Sequence, residues 1–578
     1  MKTISIDHLP RVEGNGGITA TIDGNVVTEV KFVINEGPRL VEHLTVGKTP
    51  EEDVSIAPRI CAICTLSHKN AVLRAMENAL GVRVPPKVTL LRELMHMGEF
   101  IESHSLHVYY LALPDYVGFP NAIAMASKFP FEVKIALEMK QFGNAVMKTL
   151  SGRYIHGENP VIGGFGRYPT REEFVWMKNR AIQFMPFVHR TVELFCALDY
   201  PAVPESETIY ACCEPGDGKF GLWGDEIALS TGEKIGRDDY RALTNEFVVP
   251  HSFCKHSRYK GNPYSVGALA RVNVLGERLE GEAGKAFKKY FSPRWKTNPL
   301  FHNAAQALEI LYAFEMIPEL VDKILKIPDN PAIVAYKTKN GKGTGLVEAP
   351  RGLLIHHYEI KDGLVAAADI ITPTAQNAED IERYCYLAAQ KLLDDGQEDK
   401  IRDRMDLVVR AFDPCISCSA HMAEVKHAPQ EDWKSKLSEV IVAEPVIVGI
   451  GKEARSDDQA GLRLARELKD AGLKDVYLEA EIEADHLFED NADRPFLFID
   501  VVHMGEQPGK VALLPLQHLF WNSVLSHRLL PSVWKRLTDR QIKNSYLLGI
   551  QPHSIEEGGS ISESVQRAME KILKEIRK

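Results

Sequence analysis

The first 45 residues alternate apolar and polar positions around turn signals such as Asp23-Gly24-Asn25. A period of two marks half-buried strands, so this stretch predicts a small antiparallel sheet. From about residue 55 to about residue 430 helical spacing dominates. Apolar residues recur three and four apart in Asn70–Leu80, Val88–Leu113, Phe131–Leu150 and Ala304–Ile317, which predicts helices, the last stopped or kinked by Pro318. Thr344–Ile371 returns to strand-like alternation and Glu379–Asp394 to helix. A polar stretch beginning at His427 then leads to a new start at Val440. Beyond it, Pro445–Gly451 is a buried-strand run ending in glycines, followed by a loop with Asp457 and Asp458 and an amphipathic helix Leu462–Ala471. That β-loop-α opening belongs to an α/β fold. The fold class predicted is α+β: a mostly helical body with a small N-terminal sheet, followed by an α/β domain.

At 578 residues the chain is too long for one ordinary domain, and 45% hydrophobic with 26% charged is globular composition. No run of about 18 apolar residues occurs and the opening Met1–Ile6 alternates like a strand, so neither a membrane span nor a secretory signal is expected. The expected compartment is the cytosol. A net charge of −10 argues against a grip on nucleic acid, which needs clustered Lys and Arg.

Two cysteine pairs stand near opposite ends of the helical body, Cys61-Ala62-Ile63-Cys64 and Cys415-Ile416-Ser417-Cys418. In a cytosolic chain such pairs bind metal or do redox chemistry more often than they form structural disulfides. Four soft sulfur ligands suit zinc, iron–sulfur or nickel. A structural zinc site usually gathers its pairs from knuckles close in sequence, and a thioredoxin-like pair needs one CxxC beside a βαβ pattern. Neither context is present. The flanks break the tie: Arg59 and His68 around the first pair, Asp413-Pro414 and His421 around the second.

With those flanks the chain resembles the large subunit of nickel–iron hydrogenases, whose end motifs RxCGxCxxxH and DPCxxCxxH it reproduces with Ala62 for the usual glycine. The resemblance extends over residues 1–425 through Arg11-Val12-Glu13-Gly14, Gly37–Glu42, Glu348–Gly352, Ile355–Tyr358 and Thr372–Asn377, in wording closest to the soluble, cofactor-coupled branch. It implies reversible oxidation of dihydrogen at a Ni–Fe centre held by Cys61, Cys64, Cys415 and Cys418. Cys64 and Cys418 would bridge to an iron carrying carbonyl and cyanide, with Cys61 and Cys415 terminal on nickel. Glu13 resembles the carboxylate that relays protons from Cys415 toward solvent. Arg351 would hang over the open metal position as a fixed cation. Asp115 is the candidate acid to pair with it, the plain alternative being a helix-end surface acid. His68 would donate a hydrogen bond to a bridging sulfur, and Glu42 with His421 would hold a structural magnesium. The remaining cysteines, Cys196, Cys212, Cys213, Cys254 and Cys385, read as small buried hydrophobes. His96, His104 and His107 read as fillers of polar gaps.

The tail opening could suggest a nucleotide site, yet Gly449-Ile450-Gly451 lacks the third glycine and two aspartates would repel phosphate. Asp458 in its loop, Asp500 ending an apolar strand and Leu547–Pro552 resemble the hydrogenase maturation endopeptidases. The resemblance implies metal recognition by Asp458, Asp500 and His518. Lys452 replaces the family's asparagine, and Glu479-Ala480-Glu481 replaces its Asp-Gly-Gly turn. The expected domains are a hydrogenase domain 1–425, a linker 426–440 and a protease-like domain 441–578, with processing after His421. The alternative is an unprocessed or non-catalytic fusion acting as precursor, scaffold or maturation factor. With no further CxxC cluster, electrons would leave through an iron–sulfur small subunit, with an NAD(P), deazaflavin or disulfide-reducing module beyond it.

Overall fold

The computed structural model describes residues 2–37, 40–328, 333–420, 433–482, 486–502, 507–516, 536–555 and 558–577. The chain divides into two compact units, Met1–Ala423 and Glu424–Lys578.

The first unit begins with an antiparallel meander of Lys2–Ile6, Gly16–Asp23 and Val26–Ile34. Its inward residues Ile18, Ala20, Ile22 and Phe32 are buried, and the helix Pro373–Asp394 packs against its last strand. The helices Pro86–Leu106, Pro130–Ser151, Arg171–Cys196 and His302–Lys326 pack on one another as the helical body. Pro318 lies inside the last of these, which continues to Lys326 where a stop or kink was expected. The run expected as one helix from Val88 to Leu113 is broken: a π turn, His107–Ala112, separates Pro86–Leu106 from Leu113–Val117.

A three-stranded antiparallel sheet, Gly341–Ala349, Gly352–Lys361 and Leu364–Ile371, lies against the helix Thr65–Leu80. The approach is backbone to backbone. A Cβ at Gly341, Gly343 or Gly345 would lie 2.2, 2.2 or 2.3 Å from the carbonyl oxygens of Ala79, Ala75 and Ala71. Every second strand residue advances about 6.6 Å and every fourth helix residue about 6 Å, so the glycine and alanine stripes stay in step.

In the second unit five strands lie in the order Val476–Leu478, Val446–Gly449, Phe496–Val501, Tyr546–Ile550, Val511–Pro515. The first four are parallel and the last antiparallel. The helices Ala460–Asp470 and Glu563–Ile576 contribute Leu464, Leu468, Val565 and Ile572 to one core. Trp433–Val442, partly within the stretch read as a linker, is helical and sends Leu437 and Val440 into the same core.

Candidate metal centre

The two CxxC segments enter the centre from different directions. Cys64 is the N-cap of the helix Thr65–Leu80, and Cys61 follows the short turn Ala57–Ile60. Cys415 precedes the turn Ile416–Ser419, its amide donating to Thr374 Oγ1 at 2.8 Å. All four side chains are buried and no disulfide links them. Their sulfurs lie within 4.8 Å of one another, with Cys61–Cys415 at 3.4 Å, Cys64–Cys418 at 3.2 Å and Cys415–Cys418 at 2.8 Å. Burial raises the thiol pKa values of Cys415 and Cys418 well above the ordinary range, and the neighbouring sulfurs Cys61 and Cys64 add to the rise. Cys61 is held well below it: burial opposes ionisation, but hydrogen bonds from Cys415, Cys418 and Cys64 outweigh it. Backbone N–H groups of Ile63 and Cys64 also point at its sulfur, at 3.3 and 3.2 Å. Four thiolates cannot be buried together without cations. The donor set therefore fits a soft metal centre.

Arg351 is buried beside these thiols. Its Nε donates to the Asp413 carbonyl at 2.9 Å and its Nη2 lies 3.0 Å from Asp413 Oδ1. Burial disfavours the guanidinium charge, yet Asp413 and the thiols of Cys415, Cys64 and Cys61 more than restore it, and the pKa rises. Arg351 Nη1 has no hydrogen-bond partner among the described residues. Asp413 has φ +50, a left-handed turn that aspartate tolerates, and Gln306 Nε2 holds its other oxygen at 3.1 Å. The acid of Arg351 is thus Asp413, and the expectation of Asp115 is corrected. After the π turn, Asp115 is ion-paired with Arg11 and Arg410 instead.

His68 Nε2 lies 3.8 Å from Cys418 Sγ, and its Nδ1 lies 2.9 Å from His356 Nε2, whose Nδ1 in turn lies 2.9 Å from Tyr358 Oη. With Cys418 as a thiolate the protons run one way along this chain: Tyr358 donates to His356, His356 to His68, and His68 to the sulfur. Glu99, absent from the expectations above, caps the CxxC helix by accepting from Leu66 N at 2.6 Å, Ser67 N at 2.9 Å and the Ser67 hydroxyl. Burial pushes its carboxyl up to about 8, partly opposed by these bonds. His104 meets Glu309 at 2.9 Å, and Arg271 ties Glu309 to Glu348. His107 bonds Gln306 and the Arg410 carbonyl, and His96 meets the Ser67 hydroxyl at 3.2 Å.

Glu13 lies against the second CxxC. Its carbonyl accepts from Ile416 N at 3.1 Å, and its carboxylate accepts from Ser417 N at 3.1 Å and Ser417 Oγ at 2.6 Å. The same hydroxyl lies 3.2 Å from Glu36 Oε2. Gly14, at φ +86, permits this approach, since a Cβ there would meet Ile416 at 2.7 Å and Glu36 at 2.8 Å. Glu42 Oε1 accepts from Ile370 N at 2.7 Å; burial raises its carboxyl pKa, with Lys255 opposing. His421, its expected co-ligand, lies outside the described residues.

In the second unit Asp458 follows the strand Val446–Gly449 and Asp500 lies near the end of Phe496–Val501. Both are buried. These strands are neighbours at the place where the strand order reverses, the usual crevice of an open α/β sheet. Asp457 is spent on structure, accepting from the amides of His553, Ser554 and Ser562. His518 lies outside the described residues.

A buried four-sulfur pocket with an arginine pinned beside it is a site for a soft metal centre, and the chain belongs to the nickel-dependent hydrogenase family, which matches residues 39–152 and 233–421. The second unit carries a hydrogenase maturation protease domain, matched over residues 485–578. The alpha subunit of sulfhydrogenase 1 from Pyrococcus furiosus is 41% identical over 423 residues, 73% of this chain and 98% of that protein. A vhu subunit of the F420-non-reducing hydrogenase from Methanocaldococcus jannaschii is 33% identical over 418 residues, 68% of this chain and 99% of that protein. The solved NAD+-reducing nickel–iron hydrogenase in its H2-reduced state superposes with a TM-score of 0.66 at 27% identity, covering 73% of this chain and 100% of that one. Among the described residues no helix is long and apolar enough to cross a membrane.

Proposed function

We propose that the chain oxidises dihydrogen, or reduces protons, with its own residues in the following roles. The observation that carries the reading is the convergence of four buried sulfurs with Glu13 against the second CxxC and the Arg351–Asp413 pair beside the thiols. Cys61, Cys64, Cys415 and Cys418 hold a nickel–iron centre, the iron side carrying carbonyl and cyanide. When bound, that centre supplies the redox chemistry and polarises dihydrogen. Burial keeps water from the thiolates and strengthens the field of Arg351 at the site. His68 steadies the Cys418 sulfur through a tautomer fixed by His356 and Tyr358.

Glu13 moves the proton. A hydroxyl carries one proton and two lone pairs, so Ser417 Oγ can receive from a protonated Glu13 while donating to Glu36. The trio makes a path from the second CxxC outward. Glu42 and His421 hold magnesium. Electrons pass to an iron–sulfur small subunit, then to a nucleotide-, deazaflavin- or disulfide-reducing module. The maturation-protease domain cleaves the chain after His421.

Glu13→Gln keeps shape and removes the titrating group. The variant is expected to retain nickel and iron while turnover and hydrogen–deuterium exchange with solvent fall by about 100-fold or more, the lower bound of general acid–base catalysis. Exchange at the wild-type rate would rule out Glu13 as the relay.

A further inference from the structure

Away from the sulfur pocket, three side chains converge where the loop 247–258, the helix Pro373–Asp394 and the strand Val26–Ile34 meet. The nitrogens of His251 and His256 and a carboxylate oxygen of Glu382 lie within 4.8 Å of one another. His251 Nε2 is 2.9 Å from Glu382 Oε1, and His256 Nε2 is 4.0 Å from the same oxygen. The same oxygen accepts from the Phe32 amide at 2.7 Å, which fixes the carboxylate. The His256 backbone is fixed by reciprocal bonds with Phe247, N to O at 2.9 and 2.8 Å.

His256 is 1% exposed, and its Nε2 has no hydrogen-bond partner among the described residues. A buried nitrogen left so loses its hydration without return, a cost that a ligand would offset. The charges around it agree. Glu379, one turn before Glu382, is taken by a forked pairing with Arg258 at 2.6–2.9 Å. No Lys or Arg pairs with Glu382 among the described residues, so its charge faces the two imidazoles.

We propose that His251, His256 and Glu382 form a further metal site, for a divalent first-row cation of the zinc type. Two imidazoles select such a cation over magnesium or calcium. Three protein ligands leave a fourth position for water, and His251 and Glu382, each 18% exposed, open the site on one side. Glu379 Oε1, held by Arg258, stands 4.0 Å behind His256 Nδ1. The site is structural in kind. Between its two histidines, Ser252 Oγ accepts from Ile34 N, Phe253 N donates to Ile34 O, and Cys254 bridges to Ala420, two residues past Cys418. A cation here would cross-link this loop to the helix Pro373–Asp394.

The test uses the full-length protein matured with nickel and iron. Wild type, His251→Asn and Glu382→Gln are equilibrated with Zn2+, dialysed and analysed for metals, then probed with Co2+ by visible absorption. Wild type is expected to retain one more zinc per chain than either variant and to show cobalt ligand-field bands that both lack. Nickel, iron and hydrogen uptake should be unchanged in the variants. Equal zinc in wild type and in a nickel-loaded variant would overturn the site. Should one substitution also release nickel and so report misfolding, the other variant decides.

Discussion

Four acids of the hydrogenase domain show how much of an acid's role is set by its neighbours. Asp413 is paired with Arg351, Glu99 caps a helix and Glu13 meets a serine. Asp53 has neither oxygen partnered among the described residues, and burial pushes its carboxyl up to about 8. The linkage has a definite sign. Below the ordinary carboxyl pKa both folded and unfolded chains hold this proton. As pH rises toward 8 only the folded chain keeps it, so this residue's contribution to stability falls across that window, then levels. With each tenfold change in proton affinity worth about 1.4 kcal/mol, the loss reaches several kcal/mol. Asp53→Asn should therefore raise the thermal midpoint at pH 8 much more than at pH 5. Parallel midpoint–pH curves for the two proteins would refute the assignment. Motif residues such as Glu13 and Arg351 were legible in the sequence because their neighbours in the chain carry the signal. The partner of Arg351 was misread as Asp115 because pairing depends on a π turn and on the left-handed Asp413, neither of which periodicity reports. Glu99 and His356 act from distant segments, so their roles have no local signature.

At the scale of elements, the placing of Cys64 depends on a helix whose backbone is seated directly against the glycines of a strand. Gly341, Gly343 and Gly345 make that contact against Ala79, Ala75 and Ala71. Apolar–polar alternation starts this strand only at Thr344, because glycine normally weakens strands; here close approach requires it. Apolar spacing likewise starts the helix at Asn70, although Glu99 reaches in to cap it from Thr65. The meander, the hairpins after Gly341 and the helices Pro86–Leu106, Pro130–Ser151 and His302–Lys326 were otherwise readable from their periods, whereas Arg171–Cys196 was not singled out. Gly343→Ala puts a methyl 2.2 Å from the Ala75 carbonyl, so the helix must move. Overpacking of this kind typically costs about 1–3 kcal/mol. The expected result is a lower thermal midpoint together with reduced nickel retention, since Cys64 moves with its helix. Wild-type values of both would show that the contact yields without disturbing the centre.

For the molecule as a whole, the question is why a hydrogenase large-subunit domain and a maturation-protease domain share one chain. In the α/β unit Asp458 and Asp500, the residues proposed for metal recognition, are buried near the ends of neighbouring parallel strands, and Asp457 holds the loop by its own bonds. Gly451 permits this packing, as a Cβ there would lie 2.1 Å from the Asp458 carbonyl. The sequence departure at Glu479 is built in as well: its carboxylate accepts from the Gly451 amide at 2.9 Å and so braces the loop that carries Asp458. A substitution that supports the loop is compatible with a working site. Tethering also raises the concentration of protease for its own substrate to roughly millimolar, so no separate enzyme need be found. Intact-mass measurement on protein matured with nickel is therefore expected to show a fragment ending at His421, and Asp458→Ala should leave the chain whole. A nickel-loaded, active chain still ending at Lys578 would overturn self-processing and make the fused domain a permanent part of the enzyme.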